Sequence, residues 1–216
     1  MKNNKLLTTA VAALFGASIA NADISLTDNL TLSGFVDASY NNTDNGTSRE
    51  ENLGLDQIEV DLAFAGESVS AEVHLESLTA NGDTVNLEQA FASYDLGNGL
   101  TVSGGKMLNL LGFESDEPTG QYQHTTAYQG QILDSVGKQY KEGVRASFGV
   151  EDIAVGISAY DDGVGEFDLA YEAQVIFSGI ENLTVALGYA ENDNADAGEI
   201  NEAVNVWASY ESGQMT

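Results

Sequence analysis

The stretch IEVDLAFAGESVSAEVHLES, residues 58–77, constrains the fold of this chain more than any other. Apolar side chains take every second place: Ile58, Val60, Leu62 and Phe64, then Val69, Ala71, Val73 and Leu75. Glu59, Asp61, Glu72, His74 and Glu76 fill the places between them. A period of two marks β-strands, whose successive side chains point to opposite faces. Two such runs joined by a short link form a hairpin with one greasy face and one acidic face. A small soluble barrel fills its interior with apolar side chains, and this set of ionisable groups cannot enter such a core without compensation. Two settings suit both faces. One is a barrel with lipid outside and water within; the other is one sheet of a sandwich with a solvated outer face.

The same period recurs along the chain, and no helical periodicity of useful length competes with it. It predicts about ten strands: residues 30–40, the two arms of the hairpin above, then 86–96, 100–107, 142–150, 153–161, 167–177, 183–190 and 202–211. In the first, Leu30, Leu32, Val36, Ala38 and Tyr40 share one face, with Thr31, Ser33, Asp37 and Ser39 on the other. Several runs approach the roughly 9–11 residues of a tilted transmembrane strand.

The links between strands sort by parity. Short ones follow the even strands: AGESV, LGNGL, VEDI, SGIEN and ESGQM. Long polar ones mostly follow the odd strands: NNTDNGTSREENLG, LTANGDTVN, the segment 108–142 and ENDNADAGEIN, with DDGVGE the short exception. Tight turns on one side and long loops on the other characterise up-and-down outer-membrane barrels; a soluble sandwich has no reason to segregate loop length this way. Aromatic residues fall at matching depths. Phe64, Tyr94, Phe148, Phe177 and Tyr210 precede the short links, and Tyr40, Phe167 and Tyr189 fall toward the opposite rim. Amphipathic rings favour the two membrane–water boundaries, and such barrels carry a girdle at each. Pattern, parity and girdles together predict an all-β, antiparallel up-and-down transmembrane β-barrel.

The N-terminus, MKNNKLLTTAVAALFGASIANA, has Lys2 and Lys5, an apolar run and then Ala20-Asn21-Ala22, the three parts of a secretory signal peptide. Residues 1–22 are accordingly assigned to export and 23–216 to the barrel. Two lysines and no acid leave with that segment, so the formal charge of −27 becomes −29. Such acidity excludes nucleic acid as a partner, since phosphate binding needs basic surface. The chain has no cysteine, so an exported domain of this kind is not stapled by disulfides.

Residues 87–128, LEQAFASYDLGNGLTVSGGKMLNLLGFESDEPTGQYQHTTAY, resemble the OmpL-like, or beta-barrel porin-2, family of bacterial outer-membrane proteins. The likeness rests on the strand EQAFASYDLGNGLTVSGGK, then GFES, the tyrosine-rich YQHTTAY and a lysine-containing approach to the next strand. It implies an outer-membrane barrel through which small solutes diffuse passively, and it brings no catalytic residues. Members of that family are longer, and outer-membrane barrels usually end on a strand with a terminal aromatic, whereas this chain stops at ESGQMT. The reading is therefore an incomplete barrel, the N-terminal portion of a longer one.

Strand parity then assigns the pore wall: Asp37, Glu59, Asp61, Glu72, His74, Glu76, Arg145, Asp168 and Glu172. The segment 108–142 is the third long loop, and by analogy with general porins it folds inward. It carries Glu114, Asp116, Glu117 and Asp134, while Lys106, Lys138, Lys141 and Arg145 lie within it or beside it. Charged rings and opposed charged rows set pore selectivity. The constriction expected here places Glu114, Asp116 and Glu117 near Lys138, Lys141 and Arg145; the competing reading leaves the basic residues at the rim. An acidic lumen favours cations and neutral solutes over anions.

Catalysis finds little support. His74 lies between Glu72 and Glu76, with Ser70 the nearest nucleophile, but there is no G-x-S-x-G and no H-E-x-x-H, and His124 reads as a loop residue. No cofactor and no metal are assigned. In the loop after residue 191, Asp193 is followed by Ala195 and Ala197 at positions where an EF-hand needs oxygen ligands. The expected function is a porin of the outer membrane of a Gram-negative cell. Its partners are lipid and small hydrophilic solutes, and a homotrimer is compatible. The alternative is a secreted all-β binding or adhesion module whose acidic loops take cations or glycans.

Overall fold

A computed structural model describes residues 23–44, 46, 48–78, 82, 84–113, 139–161, 169–192 and 201–211. Among the described residues eleven strands run in chain order: β1 (Ile24–Thr27), β2 (Leu30–Asp44), β3 (Arg49–Ala65), β4 (Val69–Leu78), β5 (Thr84–Gly97), β6 (Leu100–Leu108), β7 (Tyr140–Val150), β8 (Ile153–Asp161), β9 (Leu169–Ile180), β10 (Leu183–Glu191) and β11 (Glu202–Tyr210). They form one antiparallel sheet in which each strand is hydrogen-bonded to its neighbours in sequence, an all-β, up-and-down topology. No helix occurs among the described residues.

Two differences from the sequence reading stand out. The eleventh strand is β1, four residues that pair Ile24 with Leu32; ISLT is too short to display a period. The polar link expected after residue 40 is largely strand, because β2 and β3 stay paired to Asp44 and Arg49. The alternation of apolar residues ends at Tyr40, but ladder bonds join backbones and are indifferent to side chains. Polar contacts accompany the extension: Asn42 donates to Glu51 at 3.5 Å, and Arg49 pairs with Glu51.

Tight turns close the hairpins where expected. Between β5 and β6, Asn98 and Gly99 both have positive φ, 56° and 84°, as a type I′ turn requires. Glu151 and Asn182 adopt positive φ in the turns after β7 and β9. Hydrogen bonds stitch these turns to adjacent strands, Gly149 N–H donating to Gly99 and Ser178 N–H to Asp152.

The chain divides within β5 into two compact units, one ending at Ala90 and one beginning at Phe91. In both, carboxylates and amides are buried between exposed aliphatic side chains, and in the second the buried face also carries one apolar row, Ala154, Ile176, Ala186 and Trp207. In the first, Val60 is 42% exposed while its neighbours Glu59 and Asp61 are 4% and 9% exposed. In the second, Val175 is 45% exposed while Gln174 and Glu172 are buried. The register of β7 to β11 arranges the second unit in rows. One row on the outward side reads Phe148, Val155, Val175, Leu187, Val206, all exposed but the half-buried Val155. The buried face alternates with it: Arg145, Ser158, Glu172, Ala190, Ala203 in one row, and Ser147, Gly156, Gln174, Gly188, Asn205 in the next.

Candidate functional site

The buried polar face of each unit carries a cluster of charged side chains. In the first unit it grows from the β3–β4 register, which sets Asp61 directly opposite His74 and Glu59 opposite Glu76. Directly opposed residues share a face and lie close enough to touch. His74 Nδ1 sits 3.4 Å from Asp61 Oδ1 and 3.5 Å from Glu59 Oε1. Its other nitrogen, Nε2, is 3.3 Å from Glu72 Oε2. Ser33 on β2 donates to Asp61 Oδ2 at 3.3 Å, and Gln89 Nε2 on β5 lies 3.3 Å from His74 Nδ1. Of the pore-wall residues assigned here from sequence, Asp37, Glu59, Asp61, Glu72, His74 and Glu76 all fall on this one face.

In the second unit, Lys141 Nζ is 2.5 Å from Glu172 Oε1, with both side chains withdrawn from solvent, and lies 5.4 Å from the Tyr160 ring. Arg145 donates from Nε to Ser158 at 3.1 Å and from Nη2 to Tyr160 at 2.6 Å and to the Leu108 carbonyl. These groups receive the chain as it leaves β6. Leu110 N–H donates to Glu172 Oε2 at 2.9 Å, Gly112 N–H donates to Asn205 at 3.2 Å, and Phe113 packs on Trp207 with centroids 5.1 Å apart. Leu111 is fully buried over Gly188, where an added Cβ would stand 2.9 Å from its Cγ. Only a residue without a side chain admits it so closely. Residues 109–113 of the long 108–142 segment therefore lie down on the buried face of β9–β11.

Arg145 faces the polar side with Ser147, as parity predicts, and both it and Lys141 are engaged within their own unit. Glu114, Asp116, Glu117, Asp134 and Lys138 lie outside the described residues, as do Asp168, Phe167, His124 and the 1–22 segment. The remaining aromatics, Tyr40, Phe64, Tyr94, Phe148, Phe177, Tyr189 and Tyr210, are all exposed. Tyr171, also exposed, belongs with Tyr189 near the long-loop end and was legible by parity. Sequence reasoning missed Tyr160, Ser158, Gln89 and Ser33. Alternation assigns them a face but not a partner, and cross-strand register alone brings partners together.

No protein-family model matches the chain, and no curated protein matches it.

Proposed function

We propose that the chain forms the wall of an outer-membrane porin of the OmpL-like kind, exported by residues 1–22, through which small hydrophilic solutes diffuse passively. The inverted burial carries this reading: Ile58, Val60, Leu62, Val175 and Leu187 stand exposed while the carboxylates between them are buried. In each unit such an apolar face is unfavourable in water and is what hydrocarbon requires of a barrel's outer surface. Its height agrees. From Tyr171 to Ile180 the exposed face of β9 runs nine residue steps, which at a tilt of about 40° rise about 23 Å, near the roughly 25 Å apolar band of such barrels.

On the other face, Asp37, Glu59, Asp61, Glu72 and Glu76 supply negative charge, whereas Lys141 is offset by Glu172. The resulting field favours cations and neutral solutes. The strap at residues 109–113 narrows whatever lumen the polar face lines.

Expression of the chain with its leader, followed by fractionation, tests this reading. The expected result is a protein that pellets with outer membranes, migrates heat-dependently in detergent gels and renders liposomes permeable to small sugars. A protein freely soluble without detergent would instead favour a secreted binding module.

A further inference from the structure

Glu59, Asp61 and His74 each offer one ligand atom, and the three atoms lie within 4.8 Å of one another. We propose that they bind a divalent transition ion of the zinc type, an assignment that stands apart from solute transport. Three features point there. The separations of His74 Nδ1 from Asp61 Oδ1 and Glu59 Oε1 are 3.4 and 3.5 Å. Ligands about 2.0–2.2 Å from a tetrahedral zinc ion stand about 3.4 Å apart, so two of the three edges already match. The outer partners are also in place. Glu72 Oε2 lies 3.3 Å from His74 Nε2; a proton on that nitrogen leaves the Nδ1 lone pair facing the carboxylates, the arrangement of a carboxylate–histidine–metal triad. Ser33 holds Asp61 by Oδ2, turning Oδ1 toward Nδ1.

The third feature is independent of ligand spacing. Asp61 is 9% exposed, and its Oδ1 is out of solvent with no hydrogen-bond donor among the described residues. With the ring proton on Nε2, toward Glu72, that oxygen and Nδ1 present lone pairs to each other. A cation resolves the repulsion, displacing the Gln89 amide that otherwise approaches Nδ1 at 3.3 Å. One imidazole among the donors selects Zn²⁺ or Co²⁺ over Ca²⁺ and Mg²⁺, which prefer oxygen alone. Three protein ligands leave a fourth position for water or the Gln89 amide oxygen. The rival occupant is a proton, making His74 an imidazolium bridged to Glu59 and Asp61.

Titration of the full chain, folded in detergent micelles, with Zn²⁺ and then Co²⁺ decides between them. The expected result is one saturable Zn²⁺ per chain and a Co²⁺ spectrum of a four-coordinate ion. His74→Gln and Asp61→Asn should abolish both, and Glu72→Gln, which removes no ligand, should weaken binding about 10–100-fold. No saturable binding to the parent, equal affinity in His74→Gln, or Ca²⁺ bound as tightly as Zn²⁺ would overturn the proposal. Where a ligand variant fails to fold, unchanged affinity in Glu72→Gln overturns it equally. Liposome permeability is a separate readout, so failure of the porin reading leaves this result untouched.

Discussion

Lys141 Nζ and Glu172 Oε1 meet at 2.5 Å on the polar face of the sheet, and Glu172 accepts the Leu110 N–H with its other oxygen. One carboxylate thus neutralises a buried ammonium on β7 and anchors the chain leaving β6. Removing one partner of a buried pair strands the other charge, at a cost of about 3–5 kcal/mol, whereas replacing both with apolar residues is often neutral. Lys141→Met and Glu172→Gln are each expected to destabilise by about that amount, and Lys141→Met/Glu172→Leu by much less. Urea unfolding of the protein in lipid vesicles measures the non-additivity.

Arg145 stands in the same row of the sheet as Glu172. It joins the Leu108 carbonyl to Tyr160 and Ser158. Arg145→Glu breaks all three contacts and adds negative charge to the polar face. The expected outcome in single-channel recording is a reversal potential shifted further toward cation preference. Tyr160→Phe, which removes one hydroxyl partner, should cost about 1–3 kcal/mol and leave ion preference close to the parent's.

Leu111 over Gly188 makes the strap sensitive to one methyl group. Gly188→Val is expected to overpack this contact at a cost of about 1–3 kcal/mol. Adding Leu111→Ala should recover part of the loss. Protease sensitivity near residues 109–113, compared between the single and double variants, reports whether the strap has lifted.

The exposed face offers a test of its surroundings. Val175 lies mid-strand among Val155 and Leu187. In hydrocarbon, Val175→Arg should cost about 2–4 kcal/mol near the midplane; in water, a substitution at so open a position stays within about 0.5 kcal/mol. Equilibrium unfolding from vesicles distinguishes the two.

Much of this fold was legible because strand geometry writes itself into a period of two. Residues 153–161 were expected as a strand and are β8. Glu59 and Asp61 were assigned to the face opposite Val60, and they are buried where Val60 is exposed. What stayed hidden depends on register rather than period. Nothing in the residues 58–77 says that Asp61 faces His74 rather than a residue two places away. The length of the turn between β3 and β4 fixes that pairing in space. The strap was hidden for the same reason: Leu110, Leu111 and Phe113 read as the start of a polar loop until Glu172, Gly188 and Trp207 are placed beneath them.

The central claim is that lipid covers one face of the sheet and water the other. The native chain has no cysteine, so single cysteines at positions 58 to 62 can be labelled cleanly with an environment-sensitive fluorophore. In vesicles, labels at Ile58, Val60 and Leu62 should be quenched by lipid-borne quenchers, and those at Glu59 and Asp61 by aqueous ones, alternating strictly along β3. Aqueous quenching at all five positions, or no alternation, would contradict the account.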